Sequence, residues 1–289
     1  MPDLVFVMHG SEPCQAECYL RRECGLSHRQ ISRLKQIKGG MTVNGRHLRS
    51  VDIVCPGDVI RLHMVDASNM TANPALFVSV VFEDRDIRFF DKPAGMPIHP
   101  SRNHRMDTLG NAFAAMFPEE TFRPVNRLDS NTSGLTAAAR HAIAAAQLPP
   151  RIRKTYLAVV TGDPPDFGTI DAPLGRTEES IIVRCVRPDG QRAVTHFRTL
   201  KRGTYSLVEL HLETGRTHQI RVHMAHIGCP LAGDGLYGGD MSEITRHALH
   251  CCAARYTDTD GLLHHITSPM PDDMRRLLPD KLPEIFSSP

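Results

Sequence analysis

The densest polar segment of the chain is Asn126-Arg127-Leu128-Asp129-Ser130-Asn131-Thr132-Ser133-Gly134-Leu135. It sets one carboxylate, Asp129, between an arginine and a run of small hydroxyl and amide side chains that ends in glycine. A carboxylate so placed can act as a nucleophile or a base. Taken alone it fits a capped turn better, with Asp129 and Ser130 bonding nearby backbone amides. Four other segments are comparably dense. Asp91-Lys92-Pro93-Ala94-Gly95-Met96-Pro97-Ile98-His99-Pro100 precedes it, and Lys154-Thr155-Tyr156-Leu157-Ala158 follows. Then come Thr214-Gly215-Arg216-Thr217-His218-Gln219-Ile220-Arg221-Val222-His223 and Gly228-Cys229-Pro230-Leu231-Ala232-Gly233-Asp234. Each has a plain structural reading: Tyr156 as a strand core residue, Arg216 and His218 as turn caps, Lys92-Pro93 as a surface turn.

Other chemistries fit less well. The eight cysteines contain no Cys-x-x-Cys pair and are too sparse for a disulfide scaffold. Reduced thiols and a cytoplasmic setting are the expectation. His223 and His226 could share a helix face, but no Cys or carboxylate set stands at zinc spacing, so no metal is expected. Gly233 to Gly238 matches G-x-G-x-x-G. Cys229-Pro230 makes a poor preceding strand and Gly239-Asp240 a poor helix start, so a dinucleotide site is rejected. Cys251-Cys252 reads as a buried strand.

The elements that must hold these segments follow from periodicity. Phe77 to Phe82, Tyr156 to Val160, Val194 to Leu200 and Leu207 to Leu212 read as strands. Leu109, Ala112, Phe113 and Met116 share a helix face. Strands outnumber helices and short turns join many of them, which points to α+β with a largely antiparallel sheet flanked by helices. The alanine-rich stretch 135–147 is contested. Propensity alone makes it one helix.

With 289 residues the chain has room for two domains and a sizeable core. Apolar residues make up 41% and charged residues 23%, which excludes wholesale disorder, a collagen repeat or a coiled coil. No apolar run approaches a membrane span, and the N-terminus lacks the pattern of an export signal. The net charge of +2 hides an asymmetry. From Leu20 to Ser50, eight Arg and Lys stand against Glu23 alone, a net +7, leaving −5 on the remainder.

That basic stretch has a legible structure. Ser11 can cap a helix beginning near Glu12-Pro13, and Gly25 can stop it. Ser27 and Gln30 make a capping box for a second helix with Ile31, Leu34 and Ile37 inward, ended by Gly39-Gly40. Asn44-Gly45 predicts a hairpin after Met41-Thr42-Val43. Cys55-Pro56-Gly57-Asp58 is a turn into Val59 to Leu62. Arg29, Arg33, Lys35 and Lys38 would face phosphates. The order Gly25-Leu26-Ser27, Gln30-Ile31, Arg33-Leu34, Val43-Asn44-Gly45, Pro56-Gly57-Asp58-Val59-Ile60 resembles the small RNA-binding domain named after ribosomal protein S four. The expected division is 1–66 for this module, 67–76 for a polar linker and 77–289 for the rest.

In order and spacing, the five polar segments resemble the RluA/RluD-type pseudouridine synthases, across most of residues 75–280. The resemblance implies a strand over 135–139 and a helix near 141–147. It also implies isomerisation of uridine to pseudouridine in structured RNA, with no metal or organic cofactor. Asp129 matches the family's catalytic aspartate, Arg221 the arginine paired with it, and Tyr156 the aromatic residue that stacks on the target base. The Tyr156 hydroxyl could also help move the proton lost from carbon five. A cation beside Asp129 is needed, because burial alone disfavours its charge, and a guanidinium suits a carboxylate better than an ammonium. Arg127 fits a role on the RNA backbone or in the space left by an extruded base. Arg216 and His218 belong to the same positioning set. Asn126 departs from the family's usual His there and could bond a phosphate without carrying charge. The expected partner is RNA, large-subunit ribosomal RNA first and transfer RNA second, acted on by a monomer. Two other classes compete: an RNA-binding protein without catalysis, disfavoured by intact Asp129, Tyr156 and Arg221, and a cofactor-free hydrolase of glycosidic bonds. The hydrolase is disfavoured because only one carboxylate carries a motif.

Overall fold

A computed structural model describes residues 3–63, 70–180 and 182–278. The expected boundary at residue 66 and the first part of the expected linker, 67–69, lie outside the described residues.

The basic front region folds around a four-stranded antiparallel sheet, in the order Leu4–Val7, Val59–Leu62, Met41–Val43, Arg46–His47. Asn44 takes φ 47° and Gly45 φ 79°, the left-handed pair that a two-residue hairpin requires. The second helix spans His28–Lys35 and carries the full capping box between Ser27 and Gln30. Ile31 and Leu34 are buried, while Ile37 lies beyond the helix and is half-buried. The first helix differs from expectation. It spans Ala16–Arg22, with no side-chain cap at Gln15, because Cys14–Gln15 pair instead with Ile53–Val54. Strand pairing, a tertiary contact, takes the residues that the local signal assigned to the helix. Gly25, at φ 69°, turns the chain so that the Leu26 N–H reaches the Leu20 carbonyl at 2.9 Å.

The rest of the chain is built on a nine-stranded sheet. Its main path runs Phe167–Asp171, Val194–Lys201, Ser206–Leu212, Ile152–Val160, Leu249–Thr257, Ser133–Ala139, Ile87–Lys92, Ser79–Glu83, and Leu263–Thr267 joins beside Leu249–Thr257. All its pairs are antiparallel except Leu249–Thr257 with Ser133–Ala139. The α+β class with a largely antiparallel sheet therefore stands. Ser133–Ala139 is a strand with every residue buried, followed by the helix Ala142–Gln147. Helix propensity loses because the alanines pair with Ile87–Phe89 on one side and bond the 123–126 arm on the other, where small side chains pack and tertiary partners satisfy the backbone. His141 caps the helix through its Nδ1 and the Ala144 N–H. The helix Leu109–Met116 starts at a Thr108–Asn111 capping box. The core beneath the sheet includes Phe89, Leu135, Tyr156, Leu210, Ile220 and Tyr256, each such side chain worth about 1.5–3 kcal/mol when buried. Ile143 packs into the front region's own core with Leu20 and Ile31, and Gln147 Nε2 donates to the Cys24 carbonyl at 3.2 Å.

Candidate active site

Asp129 sits on the loop that leads into Ser133–Ala139. The loop's incoming arm runs beside that strand: Val125 N–H donates to the Ala137 carbonyl and Ala139 N–H to the Arg123 carbonyl. Asn126 Oδ1 accepts the Ala137 N–H at 2.8 Å. The side chain at this position thus completes the strand's ladder, and its oxygen is not offered to RNA. Its Nδ2 is buried with no partner among the described residues. Thr132 N–H closes the loop on the Asp129 carbonyl at 3.0 Å.

Two buried cations pin this loop from within. Lys92 is fully buried, and its Nζ donates to the carbonyls of Pro93, Met96 and Ser130 at 2.8–2.9 Å. It is no surface turn. Burial pulls the Lys92 ammonium down to about 7, opposed by the Asp129 charge, and three carbonyls match its three N–H donors. Arg246 donates to the Asn131 carbonyl at 3.2 Å while Asp273 holds it bidentately at 2.6 and 2.8 Å. The carbonyls on either side of the Ser130–Asn131 step are thus each held by a cation.

Arg221 lies on the helix Gln219–His226. Its closest partner is Asp234, which receives Nε and Nη2 at 2.7 Å each. Nη1 reaches Asp129 Oδ2 at 3.5 Å. Asp234 was only the last residue of a motif in the sequence, yet it fixes the guanidinium. Both partners are buried, and hydrogen bonds to Asp234 hold the Arg221 charge against desolvation. His218, at the helix N-cap, takes the left-handed φ of 59°, a conformation that costs roughly 1–2 kcal/mol outside glycine. Its Nε2 lies 3.9 Å from Asp129 and its Nδ1 2.8 Å from the Tyr237 hydroxyl. Burial lowers its pKa, against the pull of the Asp129 charge. Tyr237 accepts the Arg184 N–H at 3.0 Å. The same hydroxyl pairs with His218 Nδ1, and the Nε2 edge of the ring faces Asp129.

The glycine pattern at 233–238 therefore supplies Asp234 and Tyr237. Gly233 has φ 73°, and a Cβ there would lie 2.0 Å from the Arg246 carbonyl oxygen. Only glycine lets the segment approach so closely.

Tyr156 lies on Ile152–Val160 at a bulge, opposite Cys251 and Leu210. It is buried, and burial keeps the phenol protonated well above its ordinary range. What it presents is a ring, with Lys154 Nζ 5.7 Å from the ring centroid. Lys154 went unremarked as a site residue; burial lowers its pKa as well. Gly134, at φ 100°, allows the neighbouring strand to press on Cys251, since a Cβ would meet that carbonyl oxygen at 2.3 Å.

A cleft of about 670 Å³ brings Asn126, Arg127, Asp129, Lys154, Tyr156, Arg216, His218 and Arg221 together. Arg127 and Arg216 are exposed at it. Arg29, Arg33, Lys35 and Lys38 are exposed on the front region and do not line the cleft. The first three lie on the helix His28–Lys35, and Lys38 lies beyond it. Lys35 stands 3.7 Å from Glu17.

His223 is committed to Thr195 Oγ1 and the Ala172 carbonyl, so it makes no metal pair with His226. Among the described residues one group, Asp84, Asp258 and His264, has three metal-ligand types close together. There His264 pairs with Asp258 at 2.8 Å and stacks on Tyr256.

Residues 86–226 match the profile of the RNA pseudouridylate synthase family. A protein of Chloroflexus aurantiacus described as an uncharacterized RNA pseudouridine synthase is 42% identical, over 88% of this chain and 85% of that one. Ribosomal large subunit pseudouridine synthase D of Pseudomonas aeruginosa is 38% identical, over 83% of each. The solved structure of human RNA pseudouridylate synthase domain containing 1 matches with a TM-score of 0.58 at 28% identity, over 69% of this chain and 86% of that one. The chain belongs to the RNA pseudouridine synthase family, of the RluA/RluD type, and is an RNA isomerase. Among the described residues no helix is long and apolar enough to cross a membrane.

Proposed function

We propose that this chain converts uridine to pseudouridine in structured RNA, large-subunit ribosomal RNA first, with Asp129 as the reacting carboxylate. The observation that carries this is the convergence of Asp129, Arg221 and Tyr156 on one cleft, with Arg221 Nη1 3.5 Å from Asp129. In the reaction the bond between the sugar and ring nitrogen one breaks, uracil turns, and a bond forms from the same sugar carbon to carbon five. Carbon five then loses its proton and nitrogen one gains one, so nothing is consumed. Asp129 acts at the sugar as nucleophile or base. Arg221 Nη1 faces the carboxylate at 3.5 Å. The Tyr156 ring is a stacking platform for the extruded base, and a phenol held protonated is better suited to packing than to accepting the proton from carbon five. Arg127 and Arg216, exposed at the rim, meet the RNA backbone.

The front region, residues 1–66, is an RNA-docking module of the S4 type that acts as a monomer's second contact. Its helix His28–Lys35 presents Arg29 and Arg33 to solvent over a buried Ile31–Leu34 face, which suits phosphates. Residues 77–289 form the catalytic domain.

The test is depletion in the host followed by mapping of pseudouridine in ribosomal and transfer RNA. At least one site disappears and returns on complementation. If none is lost, and purified protein converts no uridine in total RNA, the proposal is wrong.

A further inference from the structure

Beside the cleft lies a second recess of about 290 Å³, lined by Arg176, Arg184, Arg216, Thr217, Asp189 and residues 174–175 and 190–191. We propose that this recess holds a backbone phosphate of the RNA strand that flanks the target nucleotide. The inference rests on the isomerase reading and adds to it a place for the flanking strand.

Charge is the first support. Arg176 and Arg184 are direct cross-strand partners on the hairpin formed by Leu174–Arg176 and Arg184–Val186. Like charges directly opposite each other destabilise a strand pair, and Arg216 adds a third guanidinium to the same space. The single carboxylate in the lining, Asp189, is already taken. Arg187 grips it at 2.5 and 2.8 Å and braces the hairpin by donating to the Arg176 carbonyl at 2.9 Å. Arg187 is thus the structural arginine of the group. The Arg176 guanidinium has no hydrogen bond or ion pair within the described residues, Arg216 gives only Nε, to the Arg192 carbonyl at 3.1 Å, and Arg184 is held through Nη1 by the Ile182 and Val183 carbonyls at 3.0 and 3.3 Å. A concave site with this excess of guanidinium donors fits a phosphate, which arginines can bind through paired hydrogen bonds.

Continuity is the second support. Arg216 and Thr217 line both the recess and the catalytic cleft. One strand of RNA can therefore occupy both, which a free anion has no need to do. The recess is also tied to the reacting group. Arg184 N–H donates to the Tyr237 hydroxyl, which pairs with His218, and His218 faces Asp129. A strand clamped by Arg184 is thereby held in register with the carboxylate.

The experiment uses the full chain, the variants Arg176→Gln, Arg184→Gln and their double, and the matching Lys variants. The probe is total RNA from cells depleted of the protein, with pseudouridine formation and RNA affinity measured over a range of KCl. The double Gln variant is expected to raise KM about tenfold, keep kcat within about twofold, and lower the slope of log affinity against log salt by roughly 2, one per phosphate-contacting charge. The Lys variants restore the slope. Unchanged KM and slope in a folded double Gln variant overturn the proposal. So does a loss that Lys fails to rescue, which marks the arginines as structural. If inorganic phosphate raises the Tm of the wild type but not of the Gln variants, while RNA affinity is the same in both, the site serves free phosphate and the proposal fails. Absence of any pseudouridine formed by the wild type sinks the isomerase reading, while the salt slopes still decide the recess.

Discussion

Replacing Asp234 by Asn tests whether Arg221 is held by a residue outside the cleft. The Asp234 carboxylate is 1% exposed and receives two Arg221 N–H bonds at 2.7 Å. Asn keeps one acceptor and turns its amide hydrogens toward the other guanidinium N–H, so one bond is lost and a donor faces a donor. The buried positive charge also loses its nearest counterion. Breaking a buried ion pair from one side costs about 3–5 kcal/mol. For a chain of this size that corresponds to a fall in Tm of roughly 6–20 °C. The freed guanidinium has one carboxylate left within reach, Asp129 at 3.5 Å, and swings toward it. A displacement of about 1 Å at a reacting group costs on the order of a hundredfold in rate. Asp234 does not line the cleft, so RNA affinity should stay within a few-fold. Thermal unfolding and single-turnover pseudouridine formation read the two effects. A variant with unchanged Tm and kcat would refute the view that Asp234 orients Arg221.

Asp129→Asn should abolish conversion and leave RNA affinity within a few-fold; an active variant removes Asp129 from the chemistry, and a protein that never converted uridine would be an RNA binder alone. Removing residues 1–66, or changing Arg29 and Arg33 to Gln, should weaken RNA binding and flatten its salt dependence, measured by filter binding across KCl; an unchanged slope places RNA affinity elsewhere. Lys92→Met reports on the buried ammonium. Burial lowers its folded pKa to about 7, below an unfolded value of about 10.4, so the unfolded chain binds more protons between them and wild-type stability rises with pH across that window. Denaturant unfolding of wild type minus Lys92→Met should show the wild type gaining from pH 7 to pH 10, and a flat difference would contradict the assignment. Asn126→Ala should cost about 1 kcal/mol, for the lost bond to the Ala137 N–H, with RNA affinity unchanged; weaker RNA binding by the folded variant would mean that Asn126 does meet phosphate.

Local signals carried a good part of the fold. The Ser27–Gln30 capping box and the Asn44–Gly45 hairpin were legible because each is satisfied within a few residues. The first helix was misplaced by four residues because its start is decided by pairing with Ile53–Val54, far along the chain. The same divide runs through the site. Asp129, Tyr156 and Arg221 were found through their motifs. Lys92, Asp234 and Tyr237 were not, since a Lys-Pro step reads as a surface turn and a glycine-rich loop reads as a dinucleotide pattern. Their partners lie at separations of 38, 13 and 19 residues, which no local pattern reports.

Those hidden residues share one task. Lys92 and Arg246 take the successive carbonyls of Ser130 and Asn131, Asn126 ties the incoming arm to Ala137, and Asp234 and Tyr237 fix Arg221 and His218. None of these contacts uses the Asp129 carboxylate. Among the described residues the Asp129 carboxylate has a 3.5 Å contact to Arg221 and a 3.9 Å contact to His218, while Lys92, Arg246 and Asp234 near it make short bonds. A carboxylate engaged by short, strong bonds would be a poor nucleophile, because those bonds would have to be given up in the reaction. Holding the loop through its backbone places Asp129 accurately and leaves its oxygens available. The near-neutral net charge conceals an uneven distribution, with +7 on residues 20–50 and −5 on the rest of the chain, where several guanidiniums nevertheless gather around the cleft and the recess beside it.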